Sequence, residues 1–335
     1  MRFLRFSACI WVLAHGFALA GPLWPVPGDV PDLAGPVEGF VQATASGEAA
    51  SALFGCVRNN GNRFHEALDI APVLERQRGE ATDPVRAIHG GVVRHINPVA
   101  GNSSYGRYVV LEHPELNLQV YSLYAHLAEI EPGLAAGQTV EAGSVLGIMG
   151  RSAAGYHIPK ARAHLHLEIG LRLSDNFDKW YDRQGYKTDN KHGNFNGMNL
   201  LGLDPLAYFA YFQAGRADSP LGFLESVPPA VMVHLHTTRR PDFMERYPEL
   251  VLPGAGEGEL AGWELLLSGW GLPLSLKPLR REELKGVPQE GDISVVGINR
   301  AALRKFDCRD VVDESGGRVE LGRIGRNVIE ILFMP

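Results

Sequence analysis

The sequence contains little cysteine, no excess of positive charge and, beyond its first twenty residues, no long apolar run. Lys and Arg number 32 against 38 Asp and Glu, which gives a formal net charge of −6 at neutral pH. This balance and the lack of a basic patch argue against a nucleic-acid-binding protein. Of the three cysteines in 335 residues, Cys9 lies in the amino-terminal apolar segment, so Cys56 and Cys308 are the pair that remains.

The first twenty residues (1–20) predict a secretory signal peptide. Arg2 and Arg5 precede an apolar stretch, and Ala18-Leu19-Ala20 offers an A-x-A cleavage site. The apolar stretch is too short for a membrane span, and no cysteine follows the cleavage site to carry a lipid. We therefore expect an exported chain, periplasmic or extracellular, without stable membrane insertion once the signal is removed. Removing the two arginines changes the net charge from −6 to −8.

Export would place Cys56 and Cys308 in an oxidising compartment. A disulfide between them within the chain is one expectation, and two buried free thiols are the other. The sequence leaves both open.

The length predicts two domains after the signal. A Pro- and Gly-rich lead-in (21–52) precedes a predicted catalytic domain (53–215), and a C-terminal domain (216–335) of undisclosed role follows. Short β-branched runs without intervening helices predict an antiparallel, mainly β core, followed by a small α+β domain. The predicted core strands are 91–96, 107–112, 118–126, 144–149 and 164–171. A helix capped by Asp204 closes the core, and the predicted C-terminal strands are 231–237, 263–267, 292–297 and 318–333.

Three histidine-bearing motifs occur in order along the core. They are His65-Glu66-Ala67-Leu68-Asp69, Tyr124-Ala125-His126-Leu127 and His164-Leu165-His166-Leu167-Glu168. Two imidazoles and one carboxylate make a metal site whose fourth position stays open for water, as in catalytic zinc sites. Each motif alone is weak, since a second HxH occurs at His234 and His236. The order, spacing and flanking residues together carry the prediction.

These motifs and the run Gly137 to Gly147 resemble the lysostaphin-type (LytM-like) zinc endopeptidases of bacterial cell walls, over about residues 55 to 172. The resemblance implies that His65, Asp69 and His166 bind Zn²⁺, that His126 and His164 are catalytic residues outside the ligand set, and that the core has the duplicated, hybrid-motif-like fold of that family. One departure is Ala67, which stands where the family usually has Gly. Ala would be strained there if the position needed a positive φ.

Strand periodicity supports this division of roles. Alternating side chains place His164, His166 and Glu168 on one face of a strand, and by the same rule Tyr124 and His126 share a face. The Asn59-Asn60-Gly61 turn and Pro72 leave little room for a helix around His65 and Asp69, so a loop entering a strand is expected there.

Several residues near the motifs have an ordinary structural interpretation. Glu168 could orient a ligand imidazole, but we favour a surface or interdomain ion pair. Arg58 and Arg63 could meet a substrate carboxylate, although solvated arginine is the usual case. The second HxH is expected to be structural. Histidines outside the motifs are expected in surface or loop positions, at His89, His95, His113, His157 and His192.

The sequence therefore predicts a secreted zinc-dependent endopeptidase that hydrolyses peptide bonds in peptidoglycan cross-links or stem peptides. The alternative is a non-catalytic LytM-like factor that binds or activates a separate murein amidase.

Overall fold

The computed structural model describes residues 21–215 and 219–333. The predicted signal peptide at 1–20 lies outside these residues. The predicted domain boundary between 215 and 216 stays a prediction, because residues 216–218 also lie outside them.

The described residues form short strands and few helices. The strands are β1 (Gly55–Arg58), β2 (Arg63–His65), β3 (Leu68–Ile70), β4 (Pro84–Arg86), β5 (Gly91–Asn97), β6 (Arg107–Glu112), β7 (Tyr121–Leu127), β8 (Glu129–Ile130), β9 (Thr139–Val140), β10 (Val145–Ile148), β11 (Leu165–Arg172), β12 (Leu200–Leu203), β13 (Val231–Leu235), β14 (Gly262–Leu267), β15 (Pro273–Leu279), β16 (Ile293–Ile298), β17 (Val312–Asp313) and β18 (Glu320–Leu321). The α-helices are α1 (Phe177–Arg183), α2 (Pro205–Gln213), α3 (Pro220–Glu225), α4 (Phe243–Arg246), α5 (Arg300–Leu303) and α6 (Arg323–Phe333).

A seven-stranded antiparallel sheet is the centre of the core. Its order is β12-β11-β7-β6-β5-β9, and β3 pairs with β11 outside this path. A three-stranded sheet, β4-β10-β8, shares one continuous apolar cluster with it, formed by residues such as Val85, Val109, Leu146 and Leu167. The predicted mainly β, antiparallel fold of the core is confirmed.

The Pro-rich lead-in packs against this core. Trp24 and Phe40 are buried in the same apolar cluster, and their rings meet edge to face at 5.7 Å. Further along, the Gln42 amide donates to the carbonyl of Asp69, at 2.9 Å. The lead-in therefore supports β3 along its backbone.

Helix α2 begins where the sequence predicts. The Asp204 carboxylate accepts from the Ala207 amide at 3.1 Å, and Pro205 occupies the first turn, where no amide donor is needed.

The C-terminal part is a four-stranded antiparallel sheet, β15-β14-β13-β16, with α6 beside it. The prediction of a strand over 318–333 is wrong, because most of that segment is α6. Val328 and Ile329 are adjacent and both buried, which fits helical spacing and breaks strand alternation. The first helical amide, that of Arg323, donates to the carboxylate of distant Asp310 at 2.8 Å, a cap that local sequence does not reveal.

Strand β15 (Pro273–Leu279) was not predicted. Two prolines, Pro273 and Pro278, interrupt the pattern that would indicate a strand. Proline is tolerated here because β15 lies at the edge of its sheet.

A disulfide joins the core to the C-terminal part. Cys56 of β1 and Cys308 are bonded, with their Cα atoms 5.7 Å apart and a sequence separation of 252 positions. Polar contacts cross the same boundary: the Trp270 indole donates to the carbonyl of Gly202 at 2.8 Å.

In the described ranges, no helix is long and apolar enough to cross a membrane.

The disulfide predicts a stability change. In the chain-entropy treatment, a crosslink closing so long a loop contributes up to about 5 kcal/mol. We expect the Cys56→Ala, Cys308→Ala double variant to lose free energy of unfolding in urea denaturation, and reducing agent to have no further effect on it. Two thiols that alkylate in denatured, unreduced wild-type protein would contradict the bridge.

Candidate metal centre

Three buried side chains converge at one end of β3 and β11. His65 ends β2, and Asp69 lies in β3 directly opposite His166 of β11 in the antiparallel register. The donor atoms of the three residues all lie within 4.8 Å of one another. Asp69 Oδ1 is 3.2 Å from His65 Nε2 and 3.1 Å from His166 Nδ1. The structure thus brings together all three residues that the sequence predicts as ligands.

The ring nitrogens that face away from this centre have partners of their own. His65 Nδ1 lies 2.8 Å from the carbonyl oxygen of Leu53. Since a carbonyl only accepts, Nδ1 carries the proton and Nε2 keeps a lone pair directed at Asp69 and His166. A donor set of two imidazoles and a carboxylate with its outer atoms fixed in this way fits a bound divalent metal ion.

Glu168 orients the other ligand histidine. Its carboxylate is 1% exposed, accepts from His166 Nε2 at 3.1 Å and accepts from the Tyr121 hydroxyl at 3.0 Å. The favoured interpretation of Glu168 as a surface or interdomain ion pair is therefore wrong. Its position two residues after His166, on the same strand face, was the sequence signal for the arrangement that the structure has.

Two further histidines stand beside the ligand set. His164 Nδ1 donates to the carbonyl of Arg162 at 2.7 Å, and its Nε2 is 3.5 Å from Asp69 Oδ2. His126 Nδ1 donates to the carbonyl of Ser152 at 2.8 Å, and the His126 and His164 rings are 4.8 Å apart. Both rings are therefore held in the tautomer whose Nε2 is free to accept a proton.

A β-bulge turns His126 toward this centre. Arg107 pairs with Leu127 and Val109 with Tyr124, so two residues of β7 oppose one residue of β6. His126 has φ of 61°, the left-handed conformation that bulges use to redirect a side chain. The expectation that Tyr124 and His126 share a face is wrong, since the Tyr124 hydroxyl accepts from the buried amide of Ile88, at 2.9 Å.

Ser152 fills the gap that the bulge opens. Its amide donates to the His126 carbonyl, and its hydroxyl accepts from the Arg107 amide at 2.8 Å while donating to the Leu127 carbonyl at 2.7 Å. Gly106 lies against it, because a Cβ there would come within 2.1 Å of the Ser152 carbonyl oxygen. Nothing in the sequence near His126 indicates Ser152, which lies on a distant loop.

Ala67 is not strained. It is buried, and it is not among the residues with positive φ. The family's usual glycine is therefore not required by the backbone at this position.

Arg58 contacts the ligand set directly. Its Nη2 lies 2.8 Å from His65 Nε2 and 2.5 Å from Asp69 Oδ2. His65 Nε2 and Asp69 Oδ2 thus already contact the positively charged guanidinium of Arg58. A metal ion that bound to these two atoms would have to compete with it. The carboxylate that Arg58 contacts in the structure is that of Asp69, whereas a substrate carboxylate was considered as its partner in the sequence analysis. Arg63 is exposed and lines the cleft described below.

The buried charges set the protonation of the cluster. Burial alone would raise the pKa of Asp69, but nearby His65 and His164 hold it well below its usual value. Burial lowers the pKa of His126 well below normal and also lowers that of His164. Burial opposes charge on His166 too, but hydrogen bonds to Asp69 and Glu168 raise its pKa to about 9. Metal binding at Nδ1 would release that proton.

The second HxH motif has no metal-binding arrangement. His234 Nε2 lies 3.0 Å from Glu264 Oε2, and its Nδ1 accepts from the Lys285 amide at 3.0 Å. Both nitrogens are in use. Among the described residues, His65, Asp69 and His166 form the one group of three or more potential ligands.

Two other histidines lie in the core instead of at the surface. His89 contacts the Tyr208 hydroxyl at 3.1 Å, and His113 contacts the Gly90 carbonyl and the Ser122 hydroxyl, each at 2.8 Å. Both lie in connecting segments, as expected for loop residues, but they are buried because each imidazole finds polar partners inside the protein.

The metal centre opens into a cleft of about 1730 Å³. Three parts of the chain line it: the lead-in around residues 42–51, the core, and the C-terminal part around Arg309 and α6. Tyr156, which is half exposed, lines it next to His126, with its hydroxyl 3.4 Å from Nε2.

Fold and site define a mainly antiparallel β protein with a buried group of three side chains that could hold a metal ion, beside two further histidines. Residues 63–178 match the family model described as Peptidase family M23. This match confirms the predicted resemblance to the lysostaphin-type (LytM-like) family over that segment. All five predicted site residues lie inside the matched segment.

Three solved structures of peptidases are similar to parts of the chain. A putative peptidase M23 from Pseudomonas aeruginosa is 27% identical over 31% of this chain and 37% of its own, with a TM-score of 0.24. A putative glycyl-glycine endopeptidase LytM from Ruminococcus gnavus is 24% identical over 46% and 55%, with a TM-score of 0.31. The lysostaphin catalytic domain from Staphylococcus simulans is 18% identical over 45% and 82%, with a TM-score of 0.28.

This chain therefore spans 37% of the Pseudomonas protein and 55% of the Ruminococcus protein. A comparison with curated proteins gave no match.

The buried Glu168 predicts a measurable effect on metal affinity. Glu168→Gln removes the charge that fixes the His166 ring, and we expect metal binding to weaken by about 10- to 100-fold, measured by competition with a metal-chelating dye. The matched control is Glu264→Gln, which alters the same kind of His and Glu contact at His234 and should leave metal affinity unchanged. Equal affinities for both variants would contradict the orienting role.

Proposed function

We propose that this protein is an exported, zinc-dependent endopeptidase that hydrolyses peptide bonds in peptidoglycan cross-links or stem peptides. The observation that carries the proposal is the convergence of His65, Asp69 and His166 next to two histidines, His126 and His164, that remain outside the ligand set. The M23 domain supplies the peptidase class, and the five site residues supply the chemistry.

Zinc is the metal that this donor set suits. Neutral imidazoles and a single carboxylate leave a bound Zn²⁺ with residual positive charge, and such an ion lowers the pKa of bound water toward about 7 and polarises a carbonyl group. His65 would bind through Nε2, His166 through Nδ1 and Asp69 through its carboxylate. The Leu53 carbonyl and Glu168 hold the two rings in the orientation that this requires.

His126 and His164 would move the protons. Burial lowers the pKa of both, which favours the neutral form at pH 7, and the proton of each neutral ring lies on Nδ1, which donates to a backbone carbonyl, so that Nε2 can accept a proton. Between them they can accept a proton from the attacking water, return it to the leaving amine and stabilise the oxyanion.

Export and the cell-wall substrate rest on the predicted signal peptide and on the family. The Cys56 to Cys308 disulfide is consistent with an oxidising compartment. The amidase-activating alternative has no supporting feature in the site, and the experiments below separate it from hydrolysis.

The ligand assignment predicts three metal-binding defects. Purified protein should hold one zinc ion, and His65→Ala, Asp69→Ala and His166→Ala should each weaken binding severely, because two protein ligands hold zinc poorly. Zinc content by plasma mass spectrometry after dialysis measures this. The His234→Ala, His236→Ala double variant is the control and should keep its zinc. A variant of the first three with full zinc content would remove that residue from the site.

The catalytic assignment predicts activity loss without metal loss. His126→Ala and His164→Ala should retain zinc yet lose about 10²-fold or more in turnover, as expected for proton-transfer groups. The assay incubates mature protein with murein sacculi, with and without chelator, and identifies the released fragments by mass spectrometry. Zinc-loaded protein that releases nothing itself but stimulates a murein amidase would replace this proposal with the alternative.

A further inference from the structure

The C-terminal part supplies one wall of the cleft that contains the metal centre. Six of its side chains line the cleft: Arg309, Arg323, Ile324, Asn327, Val328 and Ile331. Most of them belong to α6, which packs against the core through a hydrogen bond from the Trp180 indole to Glu330, at 3.1 Å. The wall is therefore built from residues more than 130 positions beyond His166 in sequence.

A disulfide and a cation–π contact hold this wall next to β1 and β2, the strand that ends at His65. Cys308 is bonded to Cys56 of β1. The adjacent Arg309 places its guanidinium 4.6 Å above the ring of Phe64, and its Nη1 is 3.9 Å from a carboxylate oxygen of Glu66. Phe64 and Glu66 flank His65, so the wall touches both neighbours of a predicted metal ligand. The guanidinium of Arg309 is therefore already occupied by its contacts with Phe64 and Glu66.

The cleft carries an excess of positive charge in an acidic protein. Its lining includes six cationic side chains, Arg58, Arg63, Arg162, Lys191, Arg309 and Arg323, and four carboxylates, Glu48, Glu66, Asp69 and Asp189. Over the whole chain acids outnumber bases, with a net charge of −6. A bound metal ion would make the cleft more positive still. Such a cleft concentrates anionic ligands.

Three of these arginines are free to bind a ligand. Within the described part of the chain, Arg63, Arg162 and Arg323 have no carboxylate within 4.0 Å, whereas Arg58 pairs with Asp69 and Arg309 faces Glu66. Arg323 is the exposed cation on the C-terminal wall. Burial lowers the pKa of Arg309, and the charge of Arg323 lowers it further.

We propose that the C-terminal part is a substrate-specificity wall, on which Arg323 binds a carboxylate of the peptide substrate. The ligand class is an anionic peptide with a free carboxylate close to its scissile bond, and guanidinium groups match carboxylates in two-point hydrogen bonding. The inference rests on the proposed peptidase function and assigns the C-terminal part a role within it.

Binding to an inactive protein tests this separately from hydrolysis. The full mature chain carrying His126→Ala is titrated with a fluorescein-labelled peptidoglycan stem peptide whose carboxylates are free, and with the same peptide in fully amidated form. Anisotropy reports the dissociation constants. We expect the free-carboxylate peptide to bind about tenfold more tightly, a difference typical of one charged hydrogen-bonded contact.

Arg323→Gln in that background should remove most of the preference, leave binding of the amidated peptide unchanged, and be partly rescued by Arg323→Lys. The matched control is Arg326→Gln, an exposed position on the same helix that does not line the cleft, which should keep the full preference. Zinc content equal to that of the parent confirms folding of each variant.

The outcomes separate the two proposals. An unchanged preference in Arg323→Gln, or no binding of either peptide, overturns the specificity wall. If the preference depends on Arg323 but wild-type protein cleaves no sacculi, the wall stands and the proposed hydrolysis is lost. In an active background, Arg323→Gln should raise KM and leave kcat unchanged, whereas a general structural defect would lower both kcat and zinc content.

Discussion

The antiparallel pairing of β3 with β11 is the constraint on which the site depends. Its register sets Asp69 directly opposite His166, and on the other side of β11 the register with β7 sets Ala125 opposite the same histidine. Side chains alternate between faces, so a slip by one residue would move His166 and Glu168 together into the apolar core. The leucines between them, Leu165 and Leu167, are completely buried. Core packing therefore holds the register, and the register holds the donors.

A second feature recurs at every histidine of the cluster. Each imidazole uses its outer nitrogen to bond an acceptor that cannot move far: a backbone carbonyl for His65, His126 and His164, and the buried Glu168 for His166. The four rings are thereby fixed in orientation before any ligand arrives. Such preorganisation removes the entropy cost of arranging four flexible side chains, which supports tight metal binding and efficient proton transfer.

Local rules predicted part of the site, whereas the assignment of His65, Asp69 and His166 as ligands rested on the resemblance to the lysostaphin-type family. HxH on a strand places both rings on one face by alternation alone, and the turn before His65 excludes a helix. What could not be predicted depends on contacts between distant segments. The bulge at His126 needs Ser152 to fill it, the α6 helix is capped by Asp310, and the burial of Glu168 requires Tyr121 above it. The prolines of β15 conceal a strand that only its edge position permits. Each of these is a tertiary effect that overrides the local pattern.

The placement of the bridge also has a consequence for the order in which the protein is completed. Synthesis proceeds from the amino end, so the three predicted ligands are present once His166 has been made, whereas the bridge requires Cys308 and the far wall requires α6, more than 130 residues later. A nascent chain can therefore acquire its metal-binding donors well before it has a cleft of defined shape. The shape of the cleft therefore depends on residues that are made after the donors, and the bond between Cys56 and Cys308 links the two parts covalently.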